Sequence, residues 1–128
     1  MIVLDASVLI AHLDATNAHH DRASALLLDL TDEPVGASPL SLAEVLVGPA
    51  RAGQPDRASA ALHQLNVTSV ILHEDAPVRL AVLRAGTRLK MPDCCVLLAA
   101  EQVHGAVATF DDCLAAAARK RGFVVRDR

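Results

Sequence analysis

Apolar positions follow two alternating rhythms along the chain. Residues 2 to 4, "IVL", form an uninterrupted apolar run of the kind buried on both faces of a parallel sheet. Val8, Leu9 and Ala11 to Leu13 then recur at helical spacing. Residues 18 to 30 predict a second helix, broken by "TDEP", and "VGAS" predicts a short second strand. "PLSLAEVLVG" is helical and closes at Gly48 and Pro49, and "PDRASAALHQL" opens another helix at Pro55. "VTSVIL", residues 67 to 72, is the most β-like run in the chain. A helix over about 75 to 90 follows, and Pro92 restarts another through "DCCVLLAAEQVHG". "AVATF" predicts strand four, "DDCLAAAARKRG" the last helix and "FVVRD" strand five. Strands alternating with helices imply an α/β/α sandwich: parallel strands joined by right-handed crossovers and covered by helices on both faces.

Composition narrows the class. At 128 residues the chain reads as one domain, 1–128, with no repeat or linker to suggest a second. A hydrophobic fraction of 52% is enough for a well-filled core without disulfides. No stretch reaches the ~18 to 20 uninterrupted apolar residues of a membrane span, and Asp5 interrupts the first apolar run too early for a signal peptide. These features predict a soluble cytoplasmic protein. Cys94, Cys95 and Cys113 form no CxxC, and the six histidines show no HxxxH pairing, which disfavours zinc. His19 and His20 remain open to RNA or partner contact. The net charge of −3 does not advertise a nucleic-acid binder, although residues 115 to 128 carry a local balance of +4, which equally suits a solvated helix end. With no Trp, no Tyr and two Phe, stacking platforms for bases are nearly excluded, so RNA contacts would use phosphates, shape and base edges.

Four acids fall where an α/β sheet binds ligands, at or near the carboxyl ends of strands. Asp5 ends strand one. It could cap the next helix, but Ser7 could do that equally well. Glu44 lies near an apolar stripe early in the helix after strand two. "SLAE" allows a capping box from Ser41, although Ser38 followed by Pro39 is the better helix start. Asp93 follows Pro92, where an acid complements the helix dipole. Asp111 follows strand four in "TFDD". There Thr109-x-x-Asp112 fits a capping box, and Asp111 could itself be an N-cap. Taken together the four acids point further than any one of them. Carboxylates brought together repel unless a cation neutralises them, and hard oxygen ligands favour Mg²⁺ or Mn²⁺. Phosphodiester hydrolysis by an activated water is the chemistry that follows. Without these four acids the formal charge becomes +1, so the remaining surface need not repel RNA.

"IVLDASVLIA", "ASPLSLAEVLVG" and "KMPDCCVLLAAEQVHGAVATFDD" resemble the PIN-domain ribonucleases, specifically VapC-type toxins of bacterial toxin–antitoxin pairs, over nearly the whole chain. The resemblance implies a PIN-like, mostly parallel five-stranded sheet of order 3-2-1-4-5 and catalytic acids at Asp5, Glu44, Asp93 and Asp111. Asp5, Asp93 and Asp111 would hold Mg²⁺, with Mn²⁺ as a possible substitute, and Ser7, Thr109 and Asp112 would support them. Asp111, from the T-x-D spacing, is assigned to the ion and Asp112 to the structural cap. Cys94 stands where alanine is frequent, and Leu114 where an aromatic residue is common. The resemblance also implies a homodimer, cleavage of tRNA, ribosomal or messenger RNA, and inhibition by a VapB-like antitoxin. The early helices would hold that antitoxin, and Leu26, Leu27, Leu28 and Leu30 cover more than one helix face, as either a partner groove or two-sided burial would require. Two other classes compete with this reading. A haloacid-dehalogenase-like phosphatase would need a second acid where Ser7 stands, and a receiver domain a late Lys near a strand end, whereas Lys90 and Lys120 read as helical. A catalytically silent PIN-like binding module would be expected to lack one of the acids, and all four are present.

Overall fold

A computed structural model describes residues 1–128. Five strands, β1 (Ile2–Leu4), β2 (Val35–Ala37), β3 (Thr68–Ser69), β4 (Ala106–Ala108) and β5 (Val125–Arg126), form one sheet of order β3-β2-β1-β4-β5. Every pairing is parallel, so the expected mostly parallel sheet is wholly so. Seven helices connect the strands: α1 (Ala6–Leu13), α2 (His20–Asp29), α3 (Pro39–Arg51), α4 (Pro55–Gln64), α5 (Ala76–Gly86), α6 (Met91–Gln102) and α7 (Asp112–Lys120). None is long and apolar enough to cross a membrane.

The period-two alternation of β1 divides the core. Ile2 and Leu4 point into a cluster with Val8, Leu9, Leu26, Val45 and Leu62, from α1 to α4. Val3 points the other way, into Leu89, Val96, Leu97, Val107 and Leu114, against which Leu80 and Leu83 of α5 also pack. The three-layer arrangement has a consequence for the site. A helix leading into a parallel strand runs against it, so the start of α6 lies at the sheet edge where β1, β2 and β4 end.

Several boundaries differ from the sequence reading. The run over 67 to 72 supplies only two strand residues. It pairs on one side alone, and after Val70 donates its N–H to the Ala37 carbonyl (2.8 Å) the chain leaves the sheet with Ile71 exposed. Helix α3 continues through Gly48 and Pro49, because a proline so near the end forfeits only one bond, and the Gly48 carbonyl still receives Ala52 N–H (3.1 Å). Helix α5 stops at Gly86 rather than near 90. Thr87 Oγ1 donates to the Leu83 carbonyl (2.7 Å) and accepts from Leu89 N–H (3.2 Å), turning the chain so that Leu89 is buried. Lys90 is therefore extended, not helical, and sits at the N-cap of α6, where Pro92 in the first turn favours a helix start. Of the four leucines, Leu26 and Leu30 are core, Leu27 is half-buried and Leu28 is exposed, so this run is mainly ordinary packing.

Candidate active site

Asp5 is a buried acid at the carboxyl end of the central strand. It occupies the N-cap position of α1, yet its side chain makes no capping bond. Its Oδ2 instead accepts two hydroxyl donors, Ser7 Oγ (2.8 Å) and Thr109 Oγ1 (2.8 Å). Each hydroxyl in turn accepts a backbone donor from the β4–α7 turn: Phe110 N–H reaches Ser7 Oγ (3.2 Å), and Asp111 N–H reaches Thr109 Oγ1 (3.0 Å). Both hydroxyls are thus engaged, and together they tie the ends of β1 and β4 into one unit. Asp5 Oδ1 takes no hydrogen bond from this network and stays open to a ligand. The two hydroxyl bonds offset part of the desolvation of Asp5 Oδ2, while Oδ1 neither caps a helix nor pairs with a cation. Ser7, where a haloacid-dehalogenase-like phosphatase would carry an acid, is committed to orienting Asp5.

Asp111 is the N-cap of α7, in extended conformation, and its Oδ1 accepts Leu114 N–H (2.9 Å). This corrects the assignment of the cap to Asp112. Asp112 is already the first helical residue and is exposed, and Thr109 spends its hydroxyl on Asp5 and Asp111 rather than on a capping box. Capping occupies one Asp111 oxygen and leaves Oδ2 without a bond. Ser38 caps α3, as the sequence reading favours over Ser41, with Oγ accepting Leu40 N–H (3.2 Å) and Ser41 N–H (3.3 Å). Glu44 is therefore free of any capping role.

Asp93 and Glu44 register the other acids electrostatically. Burial, and then the charges of Asp5, Asp111 and Glu44, push the half-buried Asp93 carboxyl up from 3.8 to about 6, against the opposing charge of Lys90. Burial and then Asp5 also raise Glu44. The four acids drawn from distant parts of the sequence thus share one electrostatic neighbourhood. None of them forms a salt bridge: the pairs are Arg79–Glu101, Arg119–Asp127 and Arg126–Glu33. Unpaired carboxylates of this kind fit a hard divalent cation. No three His, Cys, Asp or Glu side chains converge tightly enough to enclose one ion, so Asp5, Asp93 and Asp111 do not form a closed triad of ligands. A hard cation such as Mg²⁺ keeps several waters and needs only one or two carboxylates directly.

The raised Asp93 pKa predicts a pH dependence. Its folded value lies above its unfolded one, so the stability it contributes is fully present below about pH 4 and is lost as pH rises through about 6. Melting of the cation-free protein should show this loss, and Asp93→Asn should remove it. At pH 7 the variant should be more stable by on the order of 1 kcal/mol, solvent screening having reduced the full effect. Mg²⁺ should then stabilise the wild type more than the variant.

Other groups around the site fall into place. Cys94 and Cys95 are buried, and desolvation raises both thiols, as expected of packing residues. A cleft of about 410 Å³ involves Leu27, Pro34, Val35 and Asn66, near the opposite edge of the sheet. The sequence reading missed Arg22 and Phe110. The Arg22 Cζ stands 4.2 Å from the centre of the ring of Phe110, the residue before Asp111, and the His19 ring centre lies 5.7 Å from that of Phe110. No local pattern signals a contact spanning so much of the chain.

Comparison with known proteins places this geometry. Among solved structures, the Mycobacterium tuberculosis toxin VapC20, described as cleaving the sarcin–ricin loop, matches with a TM-score of 0.73 and 22% identity over 97% of each chain. FitAcB from Neisseria gonorrhoeae matches at 0.72 and 24%, over 99% of this chain and 97% of the other. Rickettsia felis VapBC2, solved with a DNA fragment from its promoter, matches at 0.71 and 15%, over 98% of each chain. At such identities these likenesses establish the fold alone. Comparison with curated proteins finds no match. The PIN domain profile matches residues 2–120, a span that contains all four acids and the hydroxyls that orient Asp5. With its sheet order and strand-end acids, the chain belongs to the PIN-domain family.

Proposed function

We propose that this protein is the toxin of a VapBC-type toxin–antitoxin pair and an endoribonuclease that hydrolyses RNA with Mg²⁺, or Mn²⁺ in its place. The observation that carries the reading is Asp5, fixed by Ser7 and Thr109 at the end of the central strand in the field of three further carboxylates, none of them in a salt bridge. A divalent cation bound there supplies positive charge to the phosphate and lowers the pKa of water. Asp5 Oδ1 and the free Asp111 oxygen present the ligand surface, while Ser7 and Thr109 keep Asp5 from rotating. Asp93, as the carboxylate, would accept the proton from the attacking water, while the P–O bond to the leaving ribose oxygen breaks and that oxygen takes a proton from solvent. Glu44 adds negative charge from the α3 side of the site.

VapC20, described as cleaving the sarcin–ricin loop, supports an RNA substrate, which we take to be transfer, ribosomal or messenger RNA, and the VapBC2 complex supports a VapB-like antitoxin. A homodimer acting in the cytoplasm completes the reading. Purified protein incubated with total RNA tests it. Discrete fragments that appear with Mg²⁺ and vanish with EDTA are expected. Intact RNA under both conditions, with RNA still bound, would instead make the chain a silent PIN-like binding module.

A further inference from the structure

Arg22 is exposed in the first turn of α2, yet it is held from several sides. Its Nε and Nη2 donate to the Asp127 carbonyl (3.0 and 2.7 Å), and its Cζ lies 4.2 Å from the centre of the Phe110 ring. Phe110 is itself anchored to the site, since its N–H donates to the Ser7 hydroxyl that orients Asp5. A carbonyl and an aromatic ring fix a guanidinium without neutralising it. The nearby Asp127 carboxylate is already paired, with Arg119 (3.2 Å). Arg22 is therefore an immobilised cation in no salt bridge, held against Phe110, the residue before Asp111. Stapling the chain end needs only a hydrogen-bond donor. A fixed charge here, beside carboxylates that repel an RNA backbone, serves to bind an anion.

We infer that Arg22 binds an RNA backbone phosphate next to the scissile one and so positions the strand across the acidic site. This rests on the proposed ribonuclease reading and adds to it a substrate-positioning residue. Nη1, which takes no partner, is the atom free for the phosphate. Arg22 pre-held by Phe110 loses little side-chain freedom on binding, and its fork suits phosphate oxygens.

The test measures the salt dependence of binding of a fluorescently labelled single-stranded RNA of mixed sequence to Asp5→Asn protein, in which cleavage is removed. Adding Arg22→Gln should weaken binding about 10-fold and lower the slope of log affinity against log salt by about 0.7, the loss of one phosphate contact. Arg22→Lys should keep the slope. Arg51→Gln, which removes an exposed cation from the far end of α3, should leave slope and affinity unchanged. The inference is overturned if Arg22→Gln leaves the slope unaltered, if Arg51→Gln lowers it equally, or if the Asp5→Asn parent binds no RNA. Wild-type cleavage is assayed separately, so a protein that cuts nothing would sink the ribonuclease reading while the slopes still report on Arg22.

Discussion

Asp5→Asn is expected to keep the fold and lose RNA cleavage by more than about 100-fold. Asparagine is nearly isosteric, and its side-chain oxygen can still accept from Ser7 and Thr109 as Oδ2 does. Its amide nitrogen then occupies the open position, presenting two donors where a cation needs an acceptor. Changes to residues that merely support a metal ligand typically cost about 10 to 100-fold, so loss of a ligand itself should cost more. Cleavage rates of the two proteins at fixed Mg²⁺ measure the loss. Thermal melts supply an independent readout: wild type should gain stability with millimolar Mg²⁺ or Mn²⁺, and the variant should gain less. Equal gains in both would remove Asp5 from the cation site.

The second large effect is expected at Thr109, which is fully buried. Thr109→Val keeps the shape and removes the hydroxyl, so Asp5 Oδ2 loses one of its two donors and Asp111 N–H loses its acceptor. Leaving buried polar groups unpaired should destabilise the protein by about 1 to 3 kcal/mol. Activity should fall about 10 to 100-fold, because the position of Asp5 and the turn carrying Asp111 loosen together. Thr109→Ser restores both bonds and should recover most of the activity. Denaturant unfolding and cleavage assays on the two variants separate the loss of the hydroxyl from the loss of the methyl group. A fully active valine variant would show that the network does not orient the site.

The alternation of strands and helices was readable because β1, β2 and β4 lie in short apolar runs bounded by turn residues, and the order of the acids after those runs is what suggested a site. Asp5 stood out in the sequence because an acid closing a buried strand has little else to do. Glu44 and Asp93 were harder to read, since an exposed helical Glu and a first-turn Asp are common surface features, and only their shared field with Asp5 separates them from these. The choice of cap at "TFDD" turns on one residue's backbone angles, which side-chain identities do not fix. The end of α3 was misread because proline usually stops helices, yet near a C-terminus it costs a single hydrogen bond. Arg22 was invisible for a different reason: its meaning comes from Phe110 and Asp127, both far along the chain.

Mapping new RNA 5′ ends across the transcriptome after brief induced expression in bacteria, wild type against Asp5→Asn, tests the central claim most directly. Discrete new ends confined to the wild type are predicted, and their positions would name the RNA that is cut. Identical end maps from the two proteins, with both soluble and the wild type still stabilised by Mg²⁺, would contradict an acid-dependent ribonuclease.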